Sequence, residues 1–282
     1  MNISVIGSGK MGKDISILFS QSNHIDEINL ISLHTEINKK ETEFKNYLNS
    51  ISSVFEKKLN KKMFEKIKLS NDLEKIKNSK FIIESVIEDN ETKIKVIKKA
   101  NSFVSDNTLF FTNSSSLNLH ELQRHFKHKK NFFGMHFFNP VLKTKIIELI
   151  YINKSQKKDL LFYQKFFSEL KRQSIIIEFF PGYIVNRILL SQINEACDIL
   201  QNQSLTPKEI DDTFKAATNS FKGPFQVADL IGNDIVLNML ENLYEQTKNE
   251  KFKPNKKIKD MVKKNKLGNK TKSGFYQNLS QS

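Results

Sequence analysis

The sequence predicts an α/β protein with a doubly wound, mainly parallel sheet over residues 1–180, followed by an all-α segment over residues 181–282. Three observations predict it. A short apolar run, Asn2–Ile6, ends directly on Gly-Ser-Gly-Lys-Met-Gly at residues 7–12, and that segment opens a helical pattern. Strand-like and helix-like stretches then alternate as far as Ile177. Beyond Pro181-Gly182 only helical periodicity remains.

Each element has its own justification. Asn2–Ile6 is apolar and stopped by Gly7, the signature of a buried strand. Residues 11–22 place Met11, Ile15, Leu18 and Phe19 at helical spacing. Residues 27–33 (EINLISL) read as the second strand. Residues 36–59 form a long, charged amphipathic helix, continued as a hairpin through Phe64 and inserted into the sheet domain. Residues 80–86 (KFIIESV) and 108–112 are further strands, with a helix over residues 92–103 between them. Residues 132–137, 145–150 and 174–177 supply the last strands. In the second half, Thr206-Pro207-Lys208-Glu209 is a helix start, with Thr at the N-cap, Pro at the first helical position and Glu at the third.

Composition removes several function classes. The 282 residues hold 9 Gly and 5 Pro, against roughly 20 and about 14 in an average chain of this length. Collagen-like, linker-like and Pro-rich disordered readings are excluded, and each glycine becomes worth locating. The net charge is +14, but only three of the 45 basic residues are Arg (Arg124, Arg172, Arg187). Nucleic-acid surfaces favour Arg forks and aromatic platforms, so this Lys-rich charge reads as solvated faces, and no nucleic-acid partner is expected. The single cysteine, Cys197, allows no internal disulfide and lies in an apolar stretch, as a core thiol would. No apolar run approaches the ~18 residues of a membrane span. The first residues read directly as a strand, so no membrane partner, no leader and a cytoplasmic setting are expected. No metal site is expected.

Residues 7–12 are a GxGxxG directly after a strand and at the start of a helix, the context that makes this motif specific. Gly7 permits a tight turn, Gly9 a close backbone approach to a pyrophosphate, and Gly12 close packing of helix on strand. The N-terminus of the helix, from Lys10 and Met11, presents N–H groups to the phosphates. Residues 1–180 are therefore expected to form a Rossmann-like dinucleotide-binding domain. An acidic residue is expected at the end of the second strand to hold the ribose. That end reads Ser32-Leu33-His34-Thr35-Glu36: no carboxylate stands at Leu33, and Glu36 comes three residues late. No Arg nearby marks a 2′-phosphate site, and NAD is favoured over NADP.

Residues 134–140 read Gly-Met-His-Phe-Phe-Asn-Pro, and Glu148 follows His136 by twelve residues, in KIIELI. Asn113-Ser114-Ser115-Ser116-Leu117 lies upstream and Gly182-Tyr183-Ile184-Val185-Asn186-Arg187 downstream. The helical half carries Gly223-Pro224-Phe225, Asp229-Leu230-Ile231-Gly232 and Gly274-Phe275-Tyr276. With these motifs, in this order, the sequence resembles the 3-hydroxyacyl-CoA dehydrogenase family, the short single-function kind that includes bacterial 3-hydroxybutyryl-CoA dehydrogenases. The resemblance implies that His136 is the general acid/base, that Glu148 orients its ring, and that Ser115 and Asn186 bond substrate oxygens near C3 from the two sides of a cleft. It implies that Glu88, Lys93, Asn139 and Lys270 line the cofactor, that the substrate is an acyl-CoA, and that residues 181–282 build a homodimer. A histidine suits the chemistry, since oxidising a secondary alcohol needs a base of near-neutral pKa.

The sequence departs from the family at Leu142, where Pro is usual after Asn-Pro-Val, at Lys272-Ser273, and most of all at Leu33. Two other readings stay open: a dehydrogenase of a free 3-hydroxy acid or sugar acid on the same scaffold, and a non-catalytic dinucleotide-binding protein.

Overall fold

The apolar runs of the first half assemble into one sheet, in a computed structural model that describes residues 1–34, 36–54 and 61–277. The chain divides between Phe179 and Phe180 into two units. In the first unit, strands β1 (Asn2–Ile6), β2 (Glu27–Ile31), β3 (Ile67–Ser70), β4 (Phe81–Glu84), β5 (Leu109–Thr112) and β6 (Phe132–Phe137) run parallel, in the spatial order β3-β2-β1-β4-β5-β6. Strand β7 (Ile146–Tyr151) pairs antiparallel with β6, and β8 (Gln173–Glu178) runs parallel to β7 at the edge. Helices α1 (Lys10–Ser20), α2 (Ile37–Val54), α3 (Lys61–Glu65), α4 (Asn90–Ala100), α5 (Leu119–Arg124) and α6 (Leu161–Glu169) fill the connections. Every residue of β4 and of β6 is buried. This is why these strands read as continuous rather than alternating apolar runs.

The chain steps outward from β1 to β2 and β3, then crosses back to β4 on the other side of β1. The order therefore reverses between β1 and β4. Open α/β sheets bind ligands at such a point, beyond the carboxyl ends of the strands.

An aromatic core holds this unit together and explains a chain with 23 Phe and no Trp. Phe19 stacks on Phe166 at 5.5 Å between ring centroids, and Tyr163 meets Phe81 and Phe111 edge-on at 5.2 and 4.9 Å. Burying a side chain of this size stabilises by about 1.5–3 kcal/mol. The cluster spans α1, β4, β5 and α6 and ties both helices to the sheet.

Three sequence expectations meet differences. Strand β3 was not among the expected strands, because Lys68 interrupts it; as an edge strand it can leave that side chain exposed. Strand β2 stops at Ile31, short of Leu33. The long helix runs from Ile37 to Val54, and residues 55–60 of the expected hairpin lie outside the described residues.

The second unit contains α7 (Val185–Asn202), α8 (Pro207–Thr218), α9 (Pro224–Ile231), α10 (Asn233–Thr247) and α11 (Lys256–Lys263). Its core joins Leu190, Ile193, Cys197, Phe225, Leu240 and Phe252. Thr206 caps α8 as expected: its hydroxyl accepts from the Glu209 N–H, and Glu209 accepts from the Thr206 N–H at 2.8 Å. Two buried aspartates strap the C-terminal segment down. Asp211 accepts from the N–H groups of Phe225 and Gln226 and from the Tyr276 hydroxyl. Asp229 accepts from the N–H groups of Phe275 and Tyr276 and from the Asn233 amide. Burial raises the Asp229 carboxyl above its ordinary range, although these donors pull it back. Among the described residues no helix is long and apolar enough to cross a membrane, and no group of His, Cys, Asp and Glu could hold a metal ion.

Candidate active site

The glycine loop sits at the switch point. Gly7 has φ +114°, and its N–H donates to the Ile31 carbonyl at 2.8 Å. A Cβ there would lie 2.4 Å from the Ser85 carbonyl oxygen, just past β4. A Cβ on Gly12 would lie 1.8 Å from the Gly7 carbonyl oxygen, so α1 can start this close to the turn only with glycine at that position.

Gly9 caps α1 with no side chain to satisfy the N–H groups of Lys10, Met11 and Gly12, and no acidic residue stands in the first turn. A Cβ on Gly9 would meet nothing within 4 Å. The helix thus offers donors and its positive end to an open face, which fits the pyrophosphate of a dinucleotide. A cavity of about 290 Å³ opens there, walled by Gly7, Gly9, Ser85 and Ile87 on the loop and β4 side and by Leu33, His34 and Lys40 beyond β2.

His136 lies on β6 directly opposite Glu148 on β7. The twelve-residue spacing is therefore the register of an antiparallel pair, which brings facing side chains together. Nδ1 of His136 is 2.7 Å from Oε2 of Glu148, and both side chains are almost fully buried. Nε2 is 3.1 Å from the Ser115 hydroxyl. A carboxylate only accepts, so the hydrogen-bond partners assign the ring proton to Nδ1 and leave Nε2 to accept from Ser115. The Phe138 ring packs edge-on at 4.5 Å and limits rotation of the imidazole.

Ser115 is held in turn. The loop after β5 converges on one oxygen of Glu88, which accepts from the Ser114 hydroxyl at 2.8 Å and from the Ser115 and Ser116 N–H groups at 2.7 and 2.8 Å. Burial would raise the Glu88 carboxyl, but Lys93 and these donors outweigh it and hold it below the ordinary range. Lys93, 1% exposed, donates to both oxygens of Glu84 at 2.7 and 3.0 Å and faces Glu88 at 3.6 Å. Burial opposes its charge, and the two carboxylates more than restore it, so its ammonium stays above the usual range.

The sequence reading assigns no site role to Glu84 or Asn113. Glu84 accepts from the Thr112 hydroxyl and the Val86 N–H, tying β4 to β5, and Asn113 accepts from the Phe137 N–H, tying β5 to β6. The available signal was a carboxylate inside the apolar run KFIIESV, which is costly to bury without a partner.

Ser115, His136 and Glu148 thus come together, as do Glu88 and Lys93, whose first contacts are with the serine loop and Glu84. Asn139 follows β6 and is exposed. Asn186, buried in the first turn of α7, and Lys270, paired with Asp234 at 2.5 Å, belong to the helical unit. A larger cavity of about 730 Å³ lies in that unit beside Gln192, Glu195 and Lys253, and none of the candidate catalytic or cofactor residues lines it.

A phosphate-binding loop at the switch point of a doubly wound sheet defines the class, a dinucleotide-binding protein. Residues 2–179 match the family model of the 3-hydroxyacyl-CoA dehydrogenase NAD binding domain, and residues 182–278 match that family's C-terminal domain. The chain is 31% identical to a 3-hydroxybutyryl-CoA dehydrogenase of Clostridioides difficile, over 98% of this chain and 99% of that protein. It is 27% identical to the mitochondrial hydroxyacyl-coenzyme A dehydrogenase of Sus scrofa, over 98% of this chain and 90% of the relative. The crystal structure of (S)-3-hydroxybutyryl-CoA dehydrogenase from Ralstonia eutropha superposes with a TM-score of 0.88 at 27% identity, covering 99% of both chains. The chain belongs to the 3-hydroxyacyl-CoA dehydrogenase family, and it is an oxidoreductase whose first unit is that family's NAD-binding domain.

Proposed function

We propose that the protein interconverts (S)-3-hydroxyacyl-CoA and 3-oxoacyl-CoA with NAD, and that the four-carbon pair, 3-hydroxybutyryl-CoA and acetoacetyl-CoA, is a substrate. The observation that carries the reading is the imidazole of His136, fixed at one nitrogen by Glu148 and turned at the other toward Ser115. Bound NAD supplies the hydride acceptor in oxidation and NADH the donor in reduction.

The protein's part is proton transfer and placement. His136 takes the proton of the 3-hydroxyl at Nε2 during oxidation and returns it to the carbonyl oxygen during reduction. Glu148 keeps the other proton on Nδ1 and stabilises the ring while it is charged. Ser115, held by Glu88, hydrogen-bonds the substrate oxygen beside the imidazole, and Asn186 is assigned the same oxygen region by the family resemblance. Glu88, Lys93, Asn139 and Lys270 are assigned to the cofactor on the same ground, as are a homodimer built through the helical unit and a cytoplasmic setting.

Steady-state NADH oxidation with acetoacetyl-CoA, against free acetoacetate and longer 3-oxoacyl-CoA esters, tests the proposal. Turnover of the CoA ester supports it. Turnover of the free acid alone moves the function to the free 3-hydroxy acid reading. Cofactor binding without turnover of any ester removes the catalytic assignment.

A further inference from the structure

The carboxylate expected at the end of β2 is absent, and Ser32 and Leu33 follow the strand directly. The Ser32 N–H donates to the Ser70 carbonyl at 2.7 Å and Ser32 is fully buried, so it continues the sheet edge. Leu33, 48% exposed, is the first residue beyond β2 to reach the cavity beside Gly7 and Gly9. His34 and Lys40 line the same side, and no carboxylate lines the cavity among the described residues.

Lys40 lies in the first turn of α2, partly buried, with Nζ 2.7 Å from Glu43. The other charges on this side are the exposed Glu36–Lys39 pair at 3.6 Å and Lys13, whose ammonium lies over the Tyr47 ring at 5.1 Å. Asp14 lies beneath, engaged by the Tyr47 hydroxyl.

An acidic residue at the end of β2 selects the plain dinucleotide twice over, by accepting from the ribose hydroxyls and by repelling a phosphate on the 2′-oxygen. Leu33 does neither. The electrostatics of that side then fall to Lys40, whose ammonium turns from Glu43 to the phosphate when the ligand binds and is a compact partner for it.

We propose that this pocket binds the 2′-phosphorylated dinucleotide, NADP(H), at least as tightly as NAD(H), with Lys40 as the counter-ion of the 2′-phosphate and Leu33 as the position that admits it. The inference rests on the reading of residues 7–12 as the pyrophosphate site and extends it to cofactor choice.

Titration of the full-length protein with NADH and with NADPH, followed by nicotinamide fluorescence, gives a Kd for each without turnover. The expected result is a Kd for NADPH equal to or below that for NADH. Lys40→Ala weakens NADPH roughly tenfold more than NADH, the loss of one charge-assisted contact. Leu33→Asp, at an exposed position, reverses the preference by about thirtyfold or more, because it adds a repulsive charge for one ligand and an acceptor for the other. Retained NADH binding in that variant shows that the fold is intact. NADH binding with NADPH more than about threefold weaker overturns the proposal and leaves the dehydrogenase reading standing. Equal losses of both ligands in Lys40→Ala overturn the role of Lys40. Binding of neither nucleotide defeats the reading of the loop itself.

Discussion

Replacing Glu148 by Gln keeps the volume of a buried side chain and removes its charge. In the wild type the carboxylate oxygen is 2.7 Å from Nδ1 of His136, and both groups are almost fully buried. Two unit charges with centres about 4 Å apart attract by about 4 kcal/mol at an effective dielectric of about 20. The amide oxygen of Gln still accepts from Nδ1 and recovers about 1 kcal/mol of that. On the proposed mechanism the ring gains its charge in the oxidation direction, as His136 takes the substrate's proton, so in that direction the loss falls on the transition state. A deficit of about 2–3 kcal/mol corresponds to roughly a 30- to 160-fold fall in kcat. The assay is steady-state oxidation of (S)-3-hydroxybutyryl-CoA by NAD, with kcat and KM determined separately and Tm recorded. KM should stay within about threefold, since the pair supports the proton rather than ground-state binding. A kcat within about threefold of wild type in a folded Glu148→Gln protein would refute the argument that the buried charge supports the imidazole.

Other consequences follow from the same structure. Glu88→Ala leaves the Ser114, Ser115 and Ser116 donors without their shared acceptor, and should lower stability by about 2–4 kcal/mol and kcat by at least about tenfold, whereas Glu88→Gln restores much of both; denaturant melts and kinetics check this. Because the folded carboxyl of Glu88 sits below its ordinary value of 4.5, it contributes stability above that pH and loses it as pH falls below 4.5; Glu88→Gln should flatten this acid limb of stability against pH. The Cys197 thiol is pushed up to about 12, chiefly by burial and then by Asp198, so a thiol reagent at pH 8 should label one cysteine only after denaturation. Between 9.0 and about 12 the unfolded chain loses this proton and the folded one keeps it, so this group makes stability fall as pH rises through that window. Gly12→Ala places a Cβ where the Gly7 carbonyl oxygen stands; it should cost at least about 3 kcal/mol, a Tm drop of about 6–12 °C, and should abolish measurable NADH binding.

Much of this was legible in the sequence, because the informative features were local. The GxGxxG after Asn2–Ile6 placed the nucleotide loop, and the apolar runs placed the strands buried on both faces. The pairing of His136 with Glu148 was legible as a spacing only through the family resemblance. Its physical cause, the β6–β7 register, depends on two strands meeting antiparallel in an otherwise parallel sheet. What stayed hidden was long-range. Strand β3 carries an exposed Lys68 and is a strand only because β2 offers it an edge. Glu88 reaches the serine loop 26 to 28 residues away, which no local pattern announces. Lys40 is seven residues past Leu33 in the chain, and only the placement of α2 sets it on the cavity wall.

On the proposed mechanism His136 moves the proton while residues elsewhere hold the nucleotide. Measuring NADH affinity and the kcat for acetoacetyl-CoA reduction in His136→Gln tests it most directly. The expected result is an NADH Kd within about twofold of wild type and a kcat lower by roughly a thousandfold. A kcat within about tenfold of wild type, with the cofactor still bound, would contradict it.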